Sequence, residues 1–123
     1  MRIRSHPIID FKKRKELPFY FQKKRIVGEE GDTIASALHA AGVRTLTKSL
    51  KYDSPRGFFC GIGKCSSCLM RVNGVPNVRT CIAPLQEGID VQMQDKLGLL
   101  PEAEFFGKPK KILQVDILVV GAG

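Results

Sequence analysis

The sequence predicts an α+β fold in which short strands form a sheet and one helix packs against it. Short apolar runs alternate with polar residues and are separated by turn signals, as in antiparallel strands. One apolar stripe has helical spacing and consists of Ile34, Ala37, Leu38 and Ala41. The 123 residues, 43% of them hydrophobic, are enough for one domain with a core of its own.

The N-terminal part is predicted to form an arm, a hairpin and the helix. Residues 1–16 are polar, charged and without a period, so we expect a basic arm there. Residues 17–27 are predicted to form two short strands and the turn between them. The helix is expected at about 33–41, with Asp32 or Thr33 as its capping residue.

A cysteine-rich loop and a second hairpin are predicted to follow. Residues 54–57 have the composition of a turn, and glycines and cysteines dominate residues 58–68. The hairpin is expected to run from a strand over 69–72, through a turn over 73–77 that an Asn-Gly pair begins, to a strand over 78–82.

The chain is divided into a domain and a C-terminal extension. Residues 89–93 alternate as the last strand of the domain, which we assign to 17–95, and the extension covers 96–123. Residues 95–106 are expected to form a short helix or an extended arm. Val115–Gly123 resembles a buried strand that runs into Gly-Ala-Gly, the opening of a dinucleotide-binding fingerprint that is truncated here and cannot bind a dinucleotide alone.

The chain is basic, with a formal net charge of +8 and basic runs at residues 12–15, 23–25 and 108–111. Such runs belong to a solvated surface or to a docking site for an acidic protein. Nucleic acid is disfavoured, because the aromatic run over 19–21 is strand-like and not spaced as a stacking platform. No apolar run reaches the roughly 18 residues of a membrane span, and no secretory signal is evident, which predicts a cytoplasmic protein and leaves peripheral membrane association open.

The strongest pattern is the cysteine spacing C-x4-C-x2-C-x12-C, formed by Cys60, Cys65, Cys68 and Cys81. It matches the plant-type arrangement and predicts one bound [2Fe–2S] cluster. Zinc is the first alternative, but structural zinc sites usually pair one C-x2-C with a second one or with histidines. A disulfide framework is the second alternative. It fits neither a reducing compartment nor a chain that is long enough to be stabilised by its own hydrophobic core.

The residues between these cysteines suit an anionic cluster. Gly61 and Gly63 let backbone N–H groups approach the sulfurs closely, so both are included in the predicted site. Lys64 either faces water or favours the reduced, more negative cluster. The second hairpin is expected to return Cys81 to the other cysteines without a long entropic loop.

Four stretches carry a family resemblance: residues 31–38, 50–57, 60–65 and 72–81. They include Pro-Arg-Gly at 55–57 and Val-Pro-Asn-Val-Arg-Thr-Cys at 75–81, which lie outside the bare ligand spacing. They resemble the small ferredoxin-like [2Fe–2S] domain of the sarcosine oxidase alpha-subunit family. Its relatives include small subunits of hydrogen cyanide synthase and of dye-linked proline and hydroxyproline dehydrogenases.

This resemblance covers roughly residues 17–95 and implies a β-grasp fold, a curved mixed sheet that holds one helix. From the wider ferredoxin family it implies that Cys60 and Cys65 bind the outer iron, and Cys68 and Cys81 the inner iron. In longer relatives an FAD-binding domain follows directly, and the Gly-Ala-Gly tail resembles its opening.

The resemblance and the cysteines together predict an electron-transfer subunit of a multisubunit flavin-dependent amine or amino-acid dehydrogenase. FAD or FMN is then expected on partner subunits only. The chain itself is expected to be non-catalytic, because the sequence suggests no pairing of nucleophile and base. Two alternatives stay open, a free-standing ferredoxin and a structural zinc or redox-sensing module, and nothing in the sequence indicates the substrate.

Overall fold

Five strands form one mixed sheet, and a helix packs against it. The computed structural model describes residues 2–95, 97–99, 112 and 114–121. The sheet has the order β2-β1-β7-β5-β6, with β1 and β7 parallel and the other neighbours antiparallel, while β3 and β4 pair separately. This is the predicted α+β class, a β-grasp arrangement. The elements are β1 (Glu16–Phe21), β2 (Lys24–Glu29), α1 (Ile34–Ala40), β3 (Thr47–Lys48), β4 (Pro55–Arg56), β5 (Leu69–Val72), β6 (Val75–Arg79) and β7 (Asp90–Met93).

Two-residue turns close both main hairpins. Gln22 and Lys23 join β1 to β2 with φ angles of 49° and 64°, and Asn73 and Gly74 join β5 to β6 with 48° and 82°. Turns with positive φ at both central residues match the twist of paired strands, and asparagine and glycine tolerate that conformation. The two predicted hairpins are therefore confirmed as elements.

The helix begins with a reciprocal cap. The Thr33 hydroxyl accepts a hydrogen bond from the Ser36 N–H at 3.2 Å, and the Thr33 N–H donates to the Ser36 hydroxyl at 3.0 Å. This satisfies two N–H groups that the helix cannot satisfy itself. The predicted stripe is buried at three of its four positions, whereas Ala41 is exposed and Ala35 is buried in its place.

The core lies between the sheet and the helix and continues to the cysteines. It contains apolar side chains from β1, α1, β5 and β7, such as Phe19, Leu38, Met70 and Val91. Cys68 and Cys81 belong to the same buried cluster, with 3% and 5% of their surface exposed. Two of the four cysteines are thus packed as part of the domain interior.

The return strand of the second hairpin corrects the sequence analysis. It covers Val75–Arg79 and not residues 78–82, so it starts directly after the Asn-Gly turn. Pro76 suggested a longer turn, but β6 is an edge strand, where a proline without an N–H is tolerated. Cys81 therefore lies in the turn after the strand and not on it.

A short strand pair replaces the turn predicted at residues 54–57. Thr47 pairs with Arg56 and Lys48 with Pro55, and the chain reverses in residues 50–53 instead. The Ser49 N–H donates to the Ser54 carbonyl at 2.9 Å, and the Ser54 N–H donates to the Ser49 hydroxyl at 3.0 Å. These bonds close the reversal before Pro55, which leaves Pro55 and Arg56 extended.

The described part of the C-terminal extension contains neither helix nor strand. Residues 114–121 are irregular, and Ile117 and Val120 are 83% and 86% exposed, so the strand predicted over 115–123 is not formed there. A strand needs a neighbouring edge for its backbone groups, and these residues have none in the described chain. The expectation for 95–106 falls mostly outside the described residues. No helix among the described residues is long and apolar enough to cross a bilayer.

Ion pairs tie the basic arm to the turn before the helix. Arg2 forms ion pairs with Asp32 and, at 3.5 Å, with Glu29, and Arg4 pairs with Glu29 at 2.7 Å. Asp32 also accepts hydrogen bonds from the Glu29 N–H at 2.9 Å and from the Ser36 hydroxyl at 3.1 Å. Burial raises the pKa of Asp32, but the bonds from Arg2 and the Glu29 N–H outweigh burial, so its pKa lies below the usual value.

We expect Asp32→Asn to lower the free energy of unfolding by about 1–2 kcal/mol at neutral pH, because it removes the charge that Arg2 faces. A carboxyl whose folded pKa is depressed stabilises the fold fully above its unfolded pKa of about 4, and this contribution is lost as pH falls through the folded value. The variant and the wild type should therefore converge in acid. Urea unfolding between pH 7 and pH 3 measures this, with the exposed Asp10→Asn as control, and a constant difference across that range would contradict it.

Candidate metal centre

The cysteine-rich loop connects β4 to β5 and carries Cys60, Cys65 and Cys68. Its backbone takes left-handed φ angles at Gly61, Gly63 and Ser66, of 68°, 74° and 58°. Successive turns of this kind direct N–H groups toward a common centre, which suits negative charge. Both glycines were predicted from the sequence because they allow close backbone approach, while Ser66 adopts the same conformation without a sequence signal.

Backbone N–H groups converge on two of the four sulfurs. The Cys60 sulfur accepts hydrogen bonds from the N–H groups of Cys65, Ile62 and Lys64, and the Gly63 N–H is directed at the Cys81 sulfur. Hydrogen bonds of this kind stabilise a thiolate and the negative charge of a cluster bound to it. The glycine-rich spacing therefore supplies donors for the cysteine sulfurs.

The thiols are grouped in two pairs. Cys60 is in side-chain contact with Cys65, and Cys81 is in side-chain contact with Cys68. Among the described residues, no group of three or more His, Cys, Asp or Glu side chains is arranged to hold a single metal ion. Two thiolates for each of two irons is the ligand set of a [2Fe–2S] cluster, and the residues present fit that group.

The pairs differ in environment. Cys68 and Cys81 are buried, whereas Cys60 and Cys65 are partly exposed. The Cys65 and Ile62 N–H groups lower the pKa of the Cys60 thiol to about 6, and burial together with the neighbouring Cys68 raises the pKa of Cys81 to about 11. Thiolates are the metal-binding form, so the lowered pKa favours that form at Cys60 and the raised pKa opposes it at Cys81.

Two buried threonines hold the ends of the site, and sequence reasoning missed both. The Thr80 hydroxyl donates to the Cys68 carbonyl at 2.7 Å, and the Thr80 N–H donates to the same oxygen at 3.2 Å. The Thr47 hydroxyl donates to the Ser67 carbonyl at 3.1 Å. The pairing of Leu69 with Arg79 brings Thr80 beside Cys68, and the two bonds of Thr80 then place Cys81 next to it. The position of Thr80 directly before a candidate ligand was the signal available in the sequence.

Comparison with known proteins agrees with this geometry. The protein is 27% identical over 81 residues to hydrogen cyanide synthase subunit HcnA of Pseudomonas aeruginosa, which covers 66% of this chain and 77% of that subunit. It is 34% identical over 84 residues to sarcosine oxidase subunit alpha of Rhizobium meliloti, covering 65% of this chain but only 8% of that subunit. These relatives belong to the family that the resemblance indicated.

A solved structure has the same fold. L-proline dehydrogenase from P. horikoshii matches with a TM-score of 0.63 and 27% identity, over 75% of this chain and 18% of that chain. The chain thus spans most of HcnA and a small part of the other two proteins. The 2Fe-2S iron-sulfur cluster binding domain matches residues 14–96, which is more than half of the sequence. The protein therefore belongs to the family of 2Fe-2S iron-sulfur cluster binding domains.

Proposed function

We propose that this chain is an electron-transfer subunit whose four cysteines hold one [2Fe–2S] cluster. Cys60 and Cys65 would bind the outer iron, and Cys68 and Cys81 the inner iron. The observation that carries the proposal is the grouping of the thiols in two pairs, one buried and one partly exposed. When bound, such a cluster accepts and releases one electron at a time.

The surrounding residues have separate tasks in this proposal. The N–H groups of the loop stabilise negative charge on the Cys60 and Cys81 sulfurs. The buried inner pair keeps water away from one side, and the partly exposed outer pair leaves the other side close to the surface. Hydrogen bonds, charge and solvent exposure are the quantities that tune the reduction potential of such centres. Thr47 and Thr80 hold the carbonyls of Ser67 and Cys68 and so maintain the distances between the cysteine sulfurs.

The larger complex is also part of the proposal. The relatives are named as subunits of hydrogen cyanide synthase and sarcosine oxidase, and the solved structure is an L-proline dehydrogenase. The substrates in the last two names are amino acids, whose oxidation releases two electrons, usually to a flavin. We therefore propose partner subunits that carry FAD or FMN, an amine or amino acid as substrate of the complex, and a cytoplasmic location.

Metal analysis and spectra of the purified protein test the cluster. We expect about two irons and two acid-labile sulfides per chain, and a reddish-brown colour that bleaches with dithionite. A colourless protein that contains one zinc per chain would refute the assignment and favour the structural zinc module.

Co-purification at native abundance tests the complex. We expect an FAD- or FMN-containing dehydrogenase subunit to accompany this chain through two unrelated columns, at a constant ratio. A cluster-loaded protein that elutes alone, as a monomer, would identify a free-standing ferredoxin instead. The two experiments are independent, since the first concerns the cluster and the second the partner.

Gly63→Ala tests the role of the loop backbone. A Cβ at this position would lie 2.9 Å from the Ile82 Cδ1 atom, and the φ of 74° is strained for any residue with a side chain. We expect a several-fold loss of bound iron, because the loop must shift away from the arrangement that directs its N–H at Cys81. Gly74→Ala is the matched control, with a φ of 82° and nothing within 4 Å. An equal loss of iron in both variants would contradict the prediction.

A further inference from the structure

Exposed apolar side chains lie close to the candidate cysteines in the sequence. Phe58, Phe59, Ile62 and Ile82 are 41%, 83%, 67% and 54% exposed, and together we call them the cluster-side face. Their contacts place them around the loop. The position of a Cβ on Gly61 lies 3.6 Å from the Phe58 ring, and that on Gly63 lies 2.9 Å from Ile82. Large apolar groups grouped at one place on a surface mark an interaction site more often than scattered ones do.

The stretch of chain that carries this face is positively charged. Residues 54–86 contain Arg56, Lys64, Arg71 and Arg79 and not a single aspartate or glutamate. An oxidised [2Fe–2S] cluster with four thiolates has a formal charge of about −2. The positive charge of these four side chains is larger than the negative charge of the cluster. The cations of the N-terminal arm are less available to a partner, because Arg2 and Arg4 already form ion pairs with Asp32 and Glu29.

A hollow in the face combines charge and aromatic surface. It has a volume of about 360 Å³ and is lined by Arg56, Gly57, Phe58, Phe59 and Ser67. None of the described residues that line it carries a carboxylate, so Arg56 is available to a carboxylate of a partner beside two aromatic residues. A partner that fits this hollow presents a carboxylate next to an apolar side chain.

We propose that the cluster-side face is the docking surface for an acidic flavoprotein, with Arg56 and Phe59 as its central contacts. The proposal rests on the proposed function, because it assigns the partner of the same site. The partner that fits is a protein whose flavin lies under an acidic, partly apolar rim. Opposite charge would steer the encounter, and the apolar centre would hold the two cofactors close together. The partly exposed pair, Cys60 and Cys65, belongs to the same loop as Phe59 and Ile62.

Binding to flavodoxin, an acidic flavoprotein, tests the proposal with a defined probe. Titration calorimetry of the cluster-loaded protein at low salt should give a measurable affinity that falls as salt is raised. Arg56→Glu should weaken this affinity by about tenfold or more, because it places a carboxylate in the hollow. Lys23→Glu makes the same charge change in the β1–β2 turn and should change the affinity by less than about twofold.

A second pair of variants tests the apolar contact. Phe59→Ser should weaken binding several-fold, whereas Ile8→Ser, which removes a side chain that is 88% exposed in the arm, should not. Reduction by dithionite should remain complete in all four variants, which shows that the cluster is intact. The docking proposal is overturned by a wild type that does not bind flavodoxin at low salt, or by equal effects of the variants and their controls. A wild type without a cluster would instead overturn the proposed function.

Discussion

Replacing Cys68 by alanine should abolish cluster binding. Iron and acid-labile sulfide are expected to fall from about two per chain to near zero, together with the visible absorption. Cys68 is 3% exposed and is in contact with Cys81, with which it would hold the inner iron in the proposed function. The inner iron would lose one of its two protein ligands, and loss of a ligand typically releases the metal.

Ser67→Ala is the matched control for this experiment. Ser67 neighbours Cys68, but among the described residues only its carbonyl is hydrogen-bonded, accepting from the Thr47 hydroxyl, and not its side chain. We expect normal iron content in this variant. Retention of two irons in Cys68→Ala would show that Cys68 is not a ligand, whatever the effect of the substitution on stability.

Phe19→Ala should cost the fold about 3–5 kcal/mol, the range for a fully buried phenylalanine. Phe19 has no exposed surface and lies in the core cluster that also contains Cys68 and Cys81. We expect the thermal midpoint, followed by circular dichroism, to fall by more than about 10 °C.

The next residue on the same strand provides the control. Tyr20 is 45% exposed, and Tyr20→Ala should lower the midpoint by only a few degrees. Similar losses in both variants would show that β1 does not divide its side chains between core and solvent as described. Because the core includes the inner cysteines, we also expect Phe19→Ala to bind its cluster less tightly than Tyr20→Ala.

Elements with a repeating apolar spacing or a clear turn signal could be predicted from the sequence, and the two-residue strands could not. The helix and the strand Leu69–Val72 follow from spacing and turn signals. Strands β3 and β4 have two residues each, too few for any alternation to show. Residues 75–77 were predicted as part of a turn because proline is common in turns. Pro76 fits a strand only because β6 lies at the edge of the sheet.

The components of the site could be predicted from the residues, but its pairing only from the family resemblance. Spacing indicated the four cysteines, and the need for close backbone approach indicated the two loop glycines. Neither could show that Cys60 pairs with Cys65 and Cys68 with Cys81, because that depends on the path of the loop through several left-handed residues. For Thr80 the sequence offered only its position before Cys81, and not its bond to a carbonyl twelve residues away along the chain.

Both edges of the sheet are protected against association with other strands. Edge strand β6 carries Pro76, which has no N–H to offer, and the left-handed Asn77 with a φ of 62°. Edge strand β2 begins with the exposed Lys24 and Arg25. Proline, irregular backbone and cations at edges are the features that prevent sheets from joining into aggregates. Concentrated protein should therefore stay dispersed, and a complex must assemble through side-chain surfaces and not by extending this sheet.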